Sequence, residues 1–145
     1  MITPTLTQFK TWARANRSLA EAVCMAQAFA ECERERVDAY IRPVFDRYTF
    51  IDEQGKRITK PRDLFMSADD ATEFYAACDV AHRENGFTGE SGYCPALIAE
   101  SMLIDAQNAL IKSGAALLGI DGDIYGEHRK KMLDLLLGAC LTKAA

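Results

Sequence analysis

The segment from Pro95 to Leu118, PALIAESMLIDAQNALIKSGAALL, constrains the fold of this chain more than any other. A proline fits the first position of a helix, where the backbone N–H has no partner to lose, and Gly119 suits the stop. At 100° per residue the polar groups fall into two narrow bands. Ser101, Asp105, Asn108 and Lys112 make one; Glu100, Gln107 and Gly114 make the other. Between them run Leu97, Ile104, Ile111 and Leu118, each seven apart, and opposite lies the broad face of Ile98, Ala99, Met102, Ala106, Ala109 and Leu110. A helix apolar on two sides is either the centre of a helical fold or shared with a second chain. The central placement is expected, with a homodimer seam through Leu97, Ile104, Ile111 and Leu118 as its rival.

The rest of the chain supplies helices to pack around that segment. Residues 5–16 read as a short amphipathic helix with Leu6, Phe9 and Ala13 on one face and Trp12 at its side. Ser18 with Glu21 three residues later has the form of a capping box, opening a long helix over 19–41 whose apolar face is Leu19, Val23, Ala26, Ala30, Val37 and Ile41. Pro43 disfavours its continuation and leaves 43–48 as a further turn. YTFIDEQGKRIT reads as a hairpin, with Gly55 supplying the positive φ of the turn. Ser67 caps a helix that places Ala71, Phe74, Tyr75, Cys78, Ala81 and His82 on one face and ends at Asn85–Gly86. A last helix, over 124–141, is capped by Asp121 or Asp123, with Ile124, Tyr125, His128, Met132, Leu135, Leu136 and Ala139 inward. The expected fold is all-α: one domain over 1–145, an irregular bundle of about five helices with a small β-hairpin insertion at 48–59.

Charge says more about partners than about fold. Residues 69–127 hold eleven acids and two bases, a balance of −9, whereas 1–68 total +2 and 128–145 total +3, giving −4 overall. Such an excess suits a basic partner. Only Lys56, Arg57, Lys60 and Arg62 cluster as a nucleic acid would require, so direct nucleic-acid binding is not expected. The five cysteines (24, 32, 78, 94 and 140) are odd in number and lack a CxxC, which argues against a disulfide framework or zinc ribbon and for small core residues. With no signal-peptide core and no apolar run near roughly 20 residues, a cytoplasmic protein without a membrane segment is expected.

The chemistry-bearing residues gather between Cys78 and Glu100. Cys78 and His82, four apart on one helical face, could share a zinc ion with Cys94 as third ligand, but no fourth ligand follows in sequence. Asp79, Glu100 or His128 would have to arrive by packing. A di-metal carboxylate site needs repeated Glu-x-x-His pairs, and Asp79-x-x-His82 stands alone. Cys94 sits where a helix N-terminus would favour a thiolate, and His82 could serve as its base. A phosphatase would want an arginine beyond that cysteine, and the chain offers Glu100 instead. No P-loop, G-x-S-x-G or dinucleotide fingerprint occurs, and no cofactor is expected.

Each loop residue also has a purely structural role open to it: glycines for a tight path, Cys94 as cap, Tyr93 packed on Ile98. Without a complete catalytic set, the expected function is that of a small non-enzymatic interaction or regulatory module. Its acidic 69–127 region and its 86–93 loop, through Glu84, Phe87, Glu90 and Tyr93, would engage a basic protein such as a nucleic-acid-binding one. A metal or small-molecule site at Cys78, His82 and Cys94, or thiol catalysis at Cys94, are the alternatives.

Overall fold

The computed structural model describes residues 2–59, 68–87 and 95–142. Five helices and one hairpin follow in the order α1 (Leu6–Ala15), α2 (Arg17–Arg47), β1 (Thr49–Ile51), β2 (Arg57–Thr59), α3 (Ala68–Glu84), α4 (Pro95–Leu118) and α5 (Gly126–Leu141). The fold is all-helical with a small antiparallel insertion, as the periodicities require. Two compact units are formed: one from the chain up to Ala30 with everything from Ala99 onward, the other from Glu31 to Ile98. Among the described residues no helix is long and apolar enough to cross a membrane.

In the first unit, α1 opens with a reciprocal capping box between Thr5 and Gln8, which satisfies two otherwise orphaned backbone donors. The α1–α2 junction is tied to α4 by a small polar network. Trp12 Nε1 donates to the Ser113 Oγ at 3.1 Å, Ser113 Oγ donates to Asn16 Oδ1 at 2.7 Å, and Asn16 Nδ2 returns to the Trp12 carbonyl at 2.8 Å. Ala13, Ala20, Val23 and Ala30 pack with Ala99, Leu103 and Leu110 of α4 and with Leu136 and Cys140 of α5. Gly114 lets α4 and α5 come close, since a Cβ there would stand 2.6 and 2.7 Å from the two methyls of Leu136. The C-terminus of α4 is closed by Gly119 at φ 63, with Ile120 N–H donating to the Ala115 carbonyl and Ile2 N–H to that of Leu118.

Several sequence expectations shift by a turn or a face. The Ser18–Glu21 box does not form: α2 begins at Arg17, Asn16 offers its carbonyl to Ala20 N–H, and Glu21 instead pairs with Arg17 at 3.0 Å. On α4 the buried positions are Ala96, Ala99, Leu103, Leu110, Ile111, Gly114 and Ala115, while Ile98 and Met102 are exposed. The stripe proposed as a dimer seam divides: Leu97 and Ile104 are half exposed, but Ile111 is 1% exposed and Leu118 is partly buried. Seven residues fall roughly 20° short of two full turns, so an i, i+7 row drifts around a straight helix.

The helix α5 starts at Gly126, at φ 62, leaving Ile124 and Tyr125 before it, and of the expected inward face Met132, Leu136 and Ala139 pack into the core. Tyr125, His128 and Leu135 are exposed, and Met132, Leu133, Leu136 and Cys140 turn inward. Neither Asp121 nor Asp123 caps this helix; Tyr125 occupies the cap position without a side-chain bond. Nor are the cysteines uniformly core: Cys140 is buried and Cys78 half-buried, but Cys24 and Cys32 are exposed.

The second unit is built on the latter half of α2. That helix runs through Pro43 to Arg47, because Val37, Ile41, Val44, Phe45 and Tyr48 continue one apolar face across the proline. Burial of that face outweighs the roughly 3 kcal/mol a proline costs in a helix interior. Ala81 of α3 and Ala96 of α4 complete the cluster. Phe74 is enclosed by Phe45 and Tyr48, with ring centroids at 5.3 and 5.2 Å. Tyr75, expected on the same face, is exposed. In the hairpin Thr49 faces Thr59, Phe50 faces Ile58 and Ile51 faces Arg57. Its five-residue loop is organised by Asp52, whose Oδ1 accepts from the N–H groups of Gln54 and Lys56.

Candidate functional site

The densest polar arrangement in the second unit surrounds the C-terminus of α3. Asn85 and Gly86 end the helix in a Schellman motif: Phe87 N–H donates to the His82 carbonyl at 3.0 Å, Gly86 N–H to that of Arg83 at 3.1 Å, with Gly86 at φ 89. Phe87 folds back edge-on to the His82 ring at 6.0 Å. From α2, Glu33, Arg36 and Tyr40 face this end, spaced so that they share one side of the helix. Tyr40 Oη lies 2.6 Å from His82 Nδ1, its ring T-shaped on the imidazole. Arg36 donates to the Asn85 carbonyl at 3.0 Å and grips Glu33 with two bonds of 3.1 and 2.9 Å.

These contacts fix the electrostatics. Hydrogen bonding from Arg36 holds the Glu33 carboxyl below its ordinary range, against the opposing effect of burial. Burial lowers the His82 pKa, an effect Asp79 offsets in part, so the imidazole is neutral at pH 7. Burial, reinforced by Asp79, pushes the Cys78 thiol up. A thiol raised in this way stays protonated at neutral pH, which does not suit a nucleophile. Among the described residues no three His, Cys, Asp or Glu side chains come together to hold a metal ion. Cys94, Glu90 and Tyr93 lie outside the described residues. Of the remaining expected contact residues, Glu84 is exposed and Phe87 is half-buried against His82.

The acidic stretch is divided between the two units. Five of its eleven acids are on α3 (Asp69, Asp70, Glu73, Asp79 and Glu84), Glu90 is outside the described residues, and five belong to the first unit (Glu100, Asp105, Asp121, Asp123 and Glu127). All five acids of α3 are exposed. Around the buried Phe74 and Ala81, the exposed positions of that helix include Asp69, Glu73, Asp79, Val80, Arg83 and Glu84. Among the described residues Asp69, Asp79 and Glu84 have no ion-pair partner. Glu73 accepts a 3.3 Å bond from the Tyr48 hydroxyl.

The first unit holds a feature the sequence reading missed, a cleft of about 390 Å³ between α4 and α5. Asn108 and Lys112 line it from α4, Arg129 from α5, and Asp121, Asp123 and Tyr125 from the connecting loop. The sequence does hold a signal, since IDGDIY places two acids and a tyrosine between two helices, although acids at these positions equally suit helix caps.

No protein-family model, curated protein or solved structure matches this chain.

Proposed function

We propose that the protein is a non-catalytic accessory module that engages a basic macromolecular partner through the outer face of α3. The observation that carries this reading is that Asp69, Glu73, Asp79 and Glu84 are all exposed on one helix, with Arg83 as the base among them. Carboxylates that outnumber the cations beside them and form no ion pair keep their field available to a partner, which speeds encounter and orients it. Tyr75 and Val80, 59% and 43% exposed, add apolar area beside the charges, as the centres of protein interfaces require. The nearby groups with reactive chemistry are otherwise engaged: His82 is held by Tyr40 and Phe87 within a helix cap, and Cys78 is a protonated, half-buried thiol.

The test compares three immobilised proteins in their native lysate at about 50 mM and about 300 mM salt, a range over which exposed charges become strongly screened. They are the wild type, a quadruple variant D69N/E73Q/D79N/E84Q, and a control neutralised at four exposed acids of α2, E21Q/E31Q/E35Q/D38N. Basic proteins should be retained at low salt by the wild type and the control and lost from the α3 variant. Capture of the same proteins by all three, or capture indifferent to salt, refutes the reading.

A further inference from the structure

The cleft of the first unit presents an unusual balance of charge. Lys112 and Arg129 supply two cations, Asp121 and Asp123 two anions, all lining one space of about 390 Å³. They do not neutralise one another: among the described residues Lys112, Asp121, Asp123 and Arg129 form no ion pairs. The backbone keeps them apart. Lys112 stands on α4, and Arg129 is steadied on α5 by a 3.3 Å bond from Nη2 to Gln107 Oε1. Asp121 is fixed by a local turn in which its Oδ1 accepts from Asp123 N–H at 2.9 Å, while Ile124 N–H donates to the Gly122 carbonyl at 3.0 Å.

Binding sites for small molecules begin at about 300 Å³, so the occupant must be small. A lining that sums to zero but separates its charges selects a molecule of the same kind. A simple anion drawn to Lys112 and Arg129 also meets two carboxylates, and a simple cation meets the reverse. A zwitterion satisfies both ends, its carboxylate toward Lys112 and Arg129 and its ammonium toward Asp121 and Asp123. Asn108, also in the lining, can both donate and accept, and the exposed Tyr125 adds an aromatic ring. We propose that this cleft binds a small zwitterion of free amino-acid type. The site is independent of the α3 surface, and either can fail without the other.

Calorimetric titration of the full chain tests this, using each of the twenty common amino acids singly, with acetate and methylammonium as the two half-ligands. At least one amino acid should bind with Kd below about 1 mM, the equivalent of about −4.1 kcal/mol. It should bind at least about tenfold tighter than either half-ligand, and Lys112→Gln and Asp123→Asn should each weaken it by about fivefold or more, as expected on removing one partner of a charge-assisted hydrogen bond. Both substitutions lie on exposed positions, and an unchanged circular dichroism spectrum checks the fold. Three results would each overturn the proposal: no saturable binding by any amino acid at about 10 mM, roughly tenfold above that Kd; acetate or methylammonium binding as well as the amino acid; or wild-type affinity in either variant.

Discussion

Substituting Gly114 by alanine sets two effects of known sign against each other. Alanine is favoured over glycine in a helix interior by about 1 kcal/mol, and Gly114 lies within α4. Its new methyl, however, would stand 2.6 and 2.7 Å from both terminal methyls of Leu136 and 3.3 Å from the carbon that bears them. The obstructing atoms are the far end of a side chain, but Leu136 is among the most deeply buried residues in the protein, so a new rotamer has to be accommodated within the packed core. The added methyl must therefore displace α5 or force a strained rotamer, at about 1–3 kcal/mol. A net loss of about 1 kcal/mol is expected from the overpacking and propensity terms together. In a Leu136→Ala background the obstructing atoms are gone. That substitution alone should cost about 2–5 kcal/mol for a buried leucine. On top of it Gly114→Ala should become stabilising by about 1 kcal/mol, because only the helix propensity remains. Urea unfolding of the four proteins, followed by far-UV circular dichroism, measures the cycle, with an unchanged m-value as the condition for comparing them. An equal loss in both backgrounds, or a gain in the wild type, would refute the close α4–α5 contact.

Two further outcomes follow from the polar contacts. Because the His82 pKa is lowered in the fold, the unfolded chain binds the proton more readily. Stability from this group is then fully present above the ordinary histidine value of 6.5 and is lost as pH falls below it toward the folded value. Denaturation series between about pH 7.5 and 5 should show this decline in the wild type and a flatter profile in His82→Gln, where no imidazole titrates at that position; parallel profiles would exclude it. Ser113→Ala removes an acceptor from Trp12 and a donor from Asn16 while sparing the Ser113 carbonyl, which also accepts from Trp12 Nε1 at 3.2 Å. A loss of about 1–2 kcal/mol is expected for two part-buried bonds, and a change within error would show the network to be incidental.

The helical architecture was legible because its signals are local: Pro95, Gly119, Asn85–Gly86 and the i, i+3, i+4 rows of α2 depend on neighbours in sequence. What escaped depends on partners distant in sequence. Ser18–Glu21 is a valid capping box by spacing, yet Asn16 took over the junction because Ser113, far along the chain, fixes its side chain. The continuation of α2 through Pro43 required knowing that Phe74 and Ala81 would reward burial of Val44, Phe45 and Tyr48. At the candidate site, the joint presence of Cys78 and His82 on α3 was readable. The partners that decide their chemistry, Tyr40 and Arg36 on α2, were not, since nothing in the spacing of α3 points to them. The acidic excess was visible as a sum, but its distribution between two units was not.

The single tryptophan acquires a practical meaning from its surroundings. Trp12 is half-buried in the first unit, stacked on Phe9 at 6.0 Å and hydrogen-bonded to Ser113. Its fluorescence reports on that unit alone, whereas Tyr40, Tyr48 and Tyr75 lie in the other. The chain thus carries a natural optical label on one half and a different chromophore set on the other. Excitation at the red edge, where only indole absorbs, will follow one cooperative block, and ellipticity will follow both, so any lag between the two signals reads directly as unequal stability of the halves.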